Sequence, residues 1–567
     1  MSGLRLRTPL LGALVTALVA GVVFLGGATS ADAKDSADTK VKNYQEQFID
    51  PQAPVGTEAK SSKKASAKVQ LDSPVETKAA NPDSASDLTA LADTSGGSWT
   101  ELPSLPSGSN AYHLIMGPKG KILLIAGSGN SSTVFEAGTF KAYVWEPISG
   151  HLDELIPCTG DGQPSCTPTD MFCAGHMLMS NGQGIAAGGT TDYSPWKGSK
   201  ALYTFDFGTN TFIRQKNMVD GRWYPTVVNT RGGYSLIVGG FNSSGANSKT
   251  SEVYRPWDGG YDPKPGNREF PLYPHIFLTA NAKYFFTGAG WAKAPEDVDS
   301  SAQYFHPGFW EPFNGNKFTK VNDLTVPTRR GFGSSCWLGS IRRQKLMVMG
   351  GGWPGTSSTN VIDLDSSSSP KYKAGPSLRA AKVYVSCVQL PDGSVLELGG
   401  GSANKIENAS QEVSLLKTPT STSWTPMNPL PDGEHRLYHS LAFLADDGSV
   451  ISLSSNPKGQ ARSNTVLQFK PPYLSKDRPT LGDLPKEITY GETVPINVSS
   501  DVTRVVMMTA PSPTHSFDAN QREIPLEYAD GKITINATSS LAPRGYYRLF
   551  AINANGGVSI AKWTKLA

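Results

Sequence analysis

No single charge dominates this chain. Lys and Arg number 52 against 49 Asp and Glu, a formal net charge of +3 over 567 residues. That balance leaves no extended field for nucleic acid or an acidic polymer, so neither is expected as a partner. Helix-period patterns of any length are missing outside the N-terminus, which argues against a helical bundle. Cysteine is scarce and odd in number, at five. In an exported protein an odd count leaves one thiol unpaired or otherwise modified. What is plentiful is turn chemistry: 58 Gly and 41 Pro favour a turn-rich β architecture.

The N-terminus is of another kind. An apolar run from Leu10 to Gly27 follows Arg5 and Arg7, and Ala31-Asp32-Ala33 supplies an A-x-A cleavage site. Residues 1–33 therefore read as a secretory signal, with an uncleaved membrane anchor as the alternative. Either places the rest of the chain outside the cytoplasm, secreted or held at a membrane. Residues 34–96 are rich in Ala, Ser, Lys, Asp and Pro and poor in aromatics, which predicts a flexible linker.

From Trp99 the chain repeats. A strand, a turn, a second strand and a glycine cluster recur about every fifty residues, the period of kelch repeats. The openings are Tyr112-His113-Leu114-Ile115, Phe172-Cys173-Ala174-Gly175, Arg222-Trp223-Tyr224-Pro225-Thr226, Pro274-His275-Ile276-Phe277, Arg330-Gly331-Phe332, Arg379-Ala380-Ala381 and Arg436-Leu437-Tyr438-His439-Ser440. One such unit cannot bury both its faces, so seven of them predict a closed β-propeller over 97–470. After Pro471-Pro472-Tyr473-Leu474 the pattern changes to short alternating strands. Residues 471–567 then suit an immunoglobulin-like sandwich. The fold class expected is all-β, a seven-bladed kelch-type propeller followed by an Ig-like (early-set) β-sandwich.

A hairpin brings the start of its first strand beside the end of its second. Cys173, Tyr224, Tyr438 and His439 open repeats, so they can converge on the axis at one face. Asn242, Trp291 and Trp353 follow glycine clusters and belong around the same mouth. Tyr438 and His439 are adjacent, and on a regular strand they would face opposite ways. Both reach one centre only if the backbone turns there. His515 lies in a loop of the C-terminal domain, from which it could reach out of its own domain. A phenol and an imidazole together suit copper.

These stretches carry a resemblance that runs from about Trp99 to the C-terminus. The chain resembles the copper radical oxidases, the galactose oxidase and glyoxal oxidase family. Phe172-Cys173-Ala174-Gly175 is similar to the family's cysteine motif. Arg222-Trp223-Tyr224-Pro225-Thr226 is closer to the glyoxal oxidase form of the tyrosine motif. Arg436-Leu437-Tyr438-His439-Ser440 resembles the axial tyrosine and first histidine motif. Thr514-His515, with Gln521-Arg522, resembles the second histidine motif.

The resemblance implies a Cu(2+) centre with Tyr224, Tyr438, His439 and His515 as ligands. It also implies a self-processed thioether between Tyr224 and Cys173, whose radical supplies the second oxidising equivalent. Tyr438 would take the substrate proton, and the Tyr224 radical a hydrogen atom from carbon. Cys173, Tyr224 and Tyr438 are thus the implied catalytic residues. The implied reaction oxidises a small aldehyde or a primary alcohol with O2 and releases hydrogen peroxide, an aldehyde reacting as its geminal diol. A monomer is expected. In that setting Cys158 and Cys166 are close enough for a small-loop disulfide, Cys336 and Cys387 can pair across neighbouring blades, and Cys173 is left over. One departure is clear: where galactose oxidase has a tryptophan over the cross-linked tyrosine, this chain has Asn242. Trp291 and Trp353 are the candidates for the covering ring. The departure favours glycolaldehyde or glyoxal over galactose. His113, His176 and His275 read as core or hydrogen-bonded residues, and His435 as solvent-facing. Kelch propellers also serve as binding modules, so an exported propeller binding carbohydrate or protein is the alternative, with a structural surface protein behind it.

Overall fold

The computed structural model describes residues 94–567 apart from 110, 156–168, 265–267, 292–305, 326–329 and 353. The apolar N-terminal run, nearly all of the expected linker, Cys158, Cys166 and Trp353 lie outside the described residues. Among the described residues no helix is long and apolar enough to cross a membrane.

Seven four-stranded antiparallel sheets follow one another as blades of a propeller. Their inner strands are His113–Met116, Gly175–Leu178, Thr226–Asn229, Ile276–Leu278, Ser334–Trp337, Ser386–Gln389 and Leu441–Leu444. Several inner strands are buried at every position, as in His113–Met116 and Leu441–Leu444. Neighbouring blades cover both faces, so the two-residue alternation of a half-buried strand is lost. Outer strands keep it: Thr211–Arg214 alternates exposed and half-buried side chains.

The glycine clusters are where blades touch. Gly188 has φ +89°, and a Cβ there would come within 2.1 Å of the Arg222 carbonyl oxygen of the next blade. Gly189 donates its N–H to that same oxygen at 2.9 Å. Only a residue without a side chain allows both the turn and the approach. The ring closes with a strand from the far end of the sequence. Ser98–Leu102 pairs antiparallel with Ser463–Lys470 and completes the seventh blade. One disulfide, Cys336–Cys387, joins the inner strands of blades five and six. It links the two cysteines expected to pair across neighbouring blades.

Beyond the ring, two sheets form a β-sandwich. The larger holds Glu487–Ile488, Lys562–Leu566, Gly545–Asn553, Val502–Thr509 and Glu523–Pro525; the smaller holds Thr493–Pro495, Lys532–Thr534 and Glu527–Ala529. Their shared interior includes Val505, Met507, Ile524, Ile533 and Leu549.

Candidate metal centre

Six of the seven inner strands are preceded by a non-glycine residue in the left-handed backbone region. These are Cys173 (φ 61°), Tyr224 (φ 64°), Tyr273 (φ 39°), Phe332 (φ 62°), Tyr384 (φ 60°) and His439 (φ 62°). Bulky residues seldom adopt that conformation. Here the ring of blades holds it: the N–H of Tyr224 donates to Cys173 O at 2.9 Å, that of Tyr273 to Tyr224 O at 2.8 Å, and that of Tyr384 to Phe332 O at 2.8 Å. Each such turn aims a side chain at the axis. It also resolves the Tyr438–His439 adjacency. His439 takes the left-handed position, the strand starts only at Leu441, and the two rings stack with centroids 3.6 Å apart.

His515 arrives from the sandwich on a loop that fills the propeller axis. Pro511 O and Pro513 O accept from the N–H groups of Met116 and Leu114 in blade one, at 3.0 and 3.4 Å. Asn520 makes two bonds to blade three, accepting from Asn229 N at 2.9 Å and donating to Val227 O at 3.1 Å. Gln521 does the same to blade six, donating to Cys387 O at 3.1 Å and accepting from Gln389 N. Ser334 of blade five donates to Ser516 O at 2.7 Å. The His275 ring of blade four stacks on Phe517, 3.9 Å between centroids. His515 sits near the tip with φ 49°.

The expected ligands meet there. The hydroxyls of Tyr224 and Tyr438 are hydrogen-bonded to each other. His515 Nε2 lies 3.2 Å from Tyr224 Oη. Cys173 Sγ and ring nitrogens of His439 and His515 all fall within 4.8 Å of one another. All five side chains are buried. Burial pushes the Cys173 thiol and the Tyr224 and Tyr438 hydroxyls well above their ordinary values. Burial also holds His439 and His515 well below 6.5, so both imidazoles stay neutral with a lone pair to give. His439 Nε2 has no hydrogen-bond partner among the described residues. Leaving such an atom unsatisfied costs about 1–3 kcal/mol. Two neutral imidazoles, two phenols and one orphaned ring nitrogen around a single point fit a copper ion.

Of the three residues expected around the mouth, Asn242 and Trp291 are described. Asn242 uses its side-chain oxygen in a local turn, accepting from Ser244 N at 2.9 Å and Ala246 N at 3.1 Å. Trp291 stacks on Tyr438, 5.2 Å away and 20° from parallel, and meets the His515 ring edge-on at 4.9 Å, with Tyr224 more distant at 6.5 Å. Among the described residues, the rings closest to Tyr224 are Trp223 at 4.1 Å and Tyr273 at 4.6 Å. Trp223 is itself backed by Trp196, stacked at 4.5 Å. Sequence reasoning passed over Tyr273, although it holds in blade four the place that Cys173 and Tyr224 hold in theirs. His435 is a correction: it is 7% exposed, with Nδ1 2.8 Å from Ser455 Oγ. The chain turns inward there to deliver Tyr438 to the axis. His113 and His275 are buried and hydrogen-bonded. His176 is buried with neither ring nitrogen partnered among the described residues.

The buried histidines set an acid limit. His176 and His275 are held at about 3 by desolvation, against 6.5 for an unburied imidazole. Above 6.5 neither state binds the proton and stability is unaffected. Below it the unfolded chain is protonated and the native one is not, so stability falls. At pH 5 each of the two should have withdrawn about 2 kcal/mol. Denaturant midpoints of the metal-free protein should drop steeply from pH 7 to pH 5; equal midpoints would mean these imidazoles are protonated or exposed.

Residues 478–566 match the galactose oxidase-like early set domain. Two galactose oxidases of Gibberella zeae are 24% identical over 448 residues, covering 74% of this chain and 63% of their own length. An aldehyde oxidase, GLOX, of Vitis pseudoreticulata is 28% identical over 458 residues, covering 70% of this chain and 82% of its own length. The matched domain and these relatives support the resemblance to the copper radical oxidases. The chain spans less than two thirds of the Gibberella enzymes. In fold it is similar to a solved fungal alcohol oxidase of the AA5 family in complex with copper, with a TM-score of 0.67 and 20% identity, over 83% of this chain and 100% of that one. The residues matched by the early set domain include His515, the sandwich's contribution to the centre.

Proposed function

We propose that this chain is a copper radical oxidase that acts outside the cytoplasm on small aldehydes or primary alcohols, such as glyoxal or glycolaldehyde, and reduces O2 to hydrogen peroxide. The single observation that carries the reading is the meeting of Cys173, Tyr224, Tyr438, His439 and His515 at one buried point, from four distant stretches of chain. A binding propeller has no need of that set. Each turnover removes two electrons and two protons: a primary alcohol becomes an aldehyde, or an aldehyde hydrate becomes an acid, while O2 becomes H2O2.

His439 and His515 would hold copper by ring nitrogens, with Tyr224 and Tyr438 giving phenol oxygens. Copper there supplies a one-electron acceptor and a Lewis acid that acidifies a substrate hydroxyl. Tyr438 Oη is the proton acceptor in the reading, already placed in a hydrogen bond with Tyr224 Oη. Tyr224 holds the second oxidising equivalent, stabilised by a thioether to Cys173. Forming that thioether joins Cys173 Sγ to a ring carbon of Tyr224 and removes one hydrogen from each, with O2 as the oxidant and H2O2 as its product. The buried aromatic shell of Trp223, Tyr273 and Trp291 keeps water from the radical ring.

Peptide mass spectrometry of copper-loaded protein, before and after exposure to air, tests the reading. A species containing both Cys173 and Tyr224, lighter by two hydrogens than the separate peptides, is expected, together with peroxide release on adding glyoxal or glycolaldehyde. Bound copper with the peptides still separate would sink it and leave a binding propeller in its place.

A further inference from the structure

Three groups, His515 among them, share the Thr514 hydroxyl, and counting their hydrogens fixes the state of the ring. Thr514 Oγ1 lies 3.0 Å from the Tyr112 carbonyl oxygen, 2.9 Å from His113 Nδ1 and 2.6 Å from His515 Nδ1. A threonine hydroxyl has one proton to donate and two lone pairs to accept with. The Tyr112 carbonyl can only accept, so it takes the proton. Both imidazoles must then donate into the lone pairs. His113 gives an independent check from its other side. The N–H of Cys173 donates to His113 Nε2 at 3.0 Å, so that nitrogen carries no hydrogen and Nδ1 does. The same count puts the hydrogen of His515 on Nδ1. Its lone pair is on Nε2, the nitrogen that faces Tyr224 Oη at 3.2 Å.

We infer that Thr514 and His113 are positioning residues that lock His515 in the tautomer presenting Nε2 to the metal, and that His113 through its second nitrogen ties that lock to the backbone of Cys173. The inference rests on the copper reading of the centre and adds a device to it. A ring free to exchange its hydrogen would present N–H to the centre part of the time and could not then bind. The lock also couples the two halves of the site. Cys173 belongs to blade two and Thr514 to the sandwich, and the His113 ring of blade one is bonded to both, reaching His515 through the Thr514 hydroxyl. His176 lies edge-on to His113 at 5.1 Å and, uncharged and without a hydrogen-bond partner among the described residues, makes no hydrogen bond to that ring.

The test uses the full chain and Cu(II) itself. Thr514→Val keeps the shape and removes the hydroxyl; Thr514→Ser keeps the hydroxyl. Affinity is measured by competition titration, and the number of coupled nitrogens by electron paramagnetic resonance. Removing a partner behind a ligand typically weakens metal binding by about 10–100-fold. Thr514→Val should show that loss and a weakened contribution from one nitrogen, while Thr514→Ser matches the parent in both. Parent-like affinity and nitrogen coupling in Thr514→Val would overturn the lock. If the valine variant does not fold, Thr514→Ala takes its place. His113→Gln decides the second half: affinity and coupling equal to the parent would remove His113 from the device. Should the parent chain itself bind no copper, the reading of the centre fails first, an outcome distinct from failure of the lock.

Discussion

A Cys173→Ser protein is expected to bind copper and to release no peroxide above background. The side chain is fully buried and serine is nearly the same size, so the fold should survive. Two imidazoles and two phenols remain, and copper affinity should change by less than about tenfold, or about 1.4 kcal/mol. What goes is the sulfur beside Tyr224. Without it no thioether can form, and a plain tyrosyl radical is harder to make and keep. Copper accepts one electron where the reaction delivers two, so turnover stops. Paired copper titration and peroxide assays check this. Peroxide release in the serine variant at the parental rate would mean that the second oxidising equivalent resides elsewhere.

Glu252→Ala should be strongly destabilising. Arg222 and Glu252 form an ion pair at 2.7 Å with both side chains wholly buried. Glu252 also accepts from Val219 N at 2.7 Å, and Arg222 donates to Gly239 O at 2.8 Å. Removing the carboxylate strands a guanidinium in the interior, at a cost of about 3–5 kcal/mol. The damage should reach the centre, because Arg222 lies two residues before Tyr224 and anchors its turn. Replacing both partners, as Arg222→Met with Glu252→Leu, should recover most of the loss, since paired removal leaves no orphan charge. Denaturation midpoints of the single and double variants decide it. If the double variant is no better than Glu252→Ala, the loss comes from packing and not from the stranded charge.

Much of the fold is legible because repeats announce themselves. Glycines recur at about fifty-residue intervals where blades touch, and Gly188 shows the steric reason. The openings of the repeats also point to Cys173, Tyr224, Tyr438 and His439, since a turn into an inner strand faces the axis. Other features depend on partners too far away in sequence to be seen. Ser98–Leu102 reads as nothing in particular until it is paired with Ser463–Lys470. His435 looks solvent-facing beside charged Glu434, yet Ser455 buries it. Tyr273 stands in a repeat whose opening was read one residue later, at Pro274, so its contact with Tyr224 was hidden. Inner strands buried on both faces lose the alternation that would have marked their bounds.

The closing strand has a consequence for the order in which the molecule is made. Blade seven carries Tyr438 and His439, and it is completed by a strand synthesised some 360 residues earlier than its partner. His515 emerges later still. A growing chain therefore displays Cys173 and Tyr224 long before it has His439 or His515 to put beside them. Chain growth releases N-terminal parts to fold first, but here the first strand must wait for the last blade. The four stretches meet only after both the seventh blade and the His515 loop have been made, so a shorter chain lacks part of the ligand set that the proposed copper site requires.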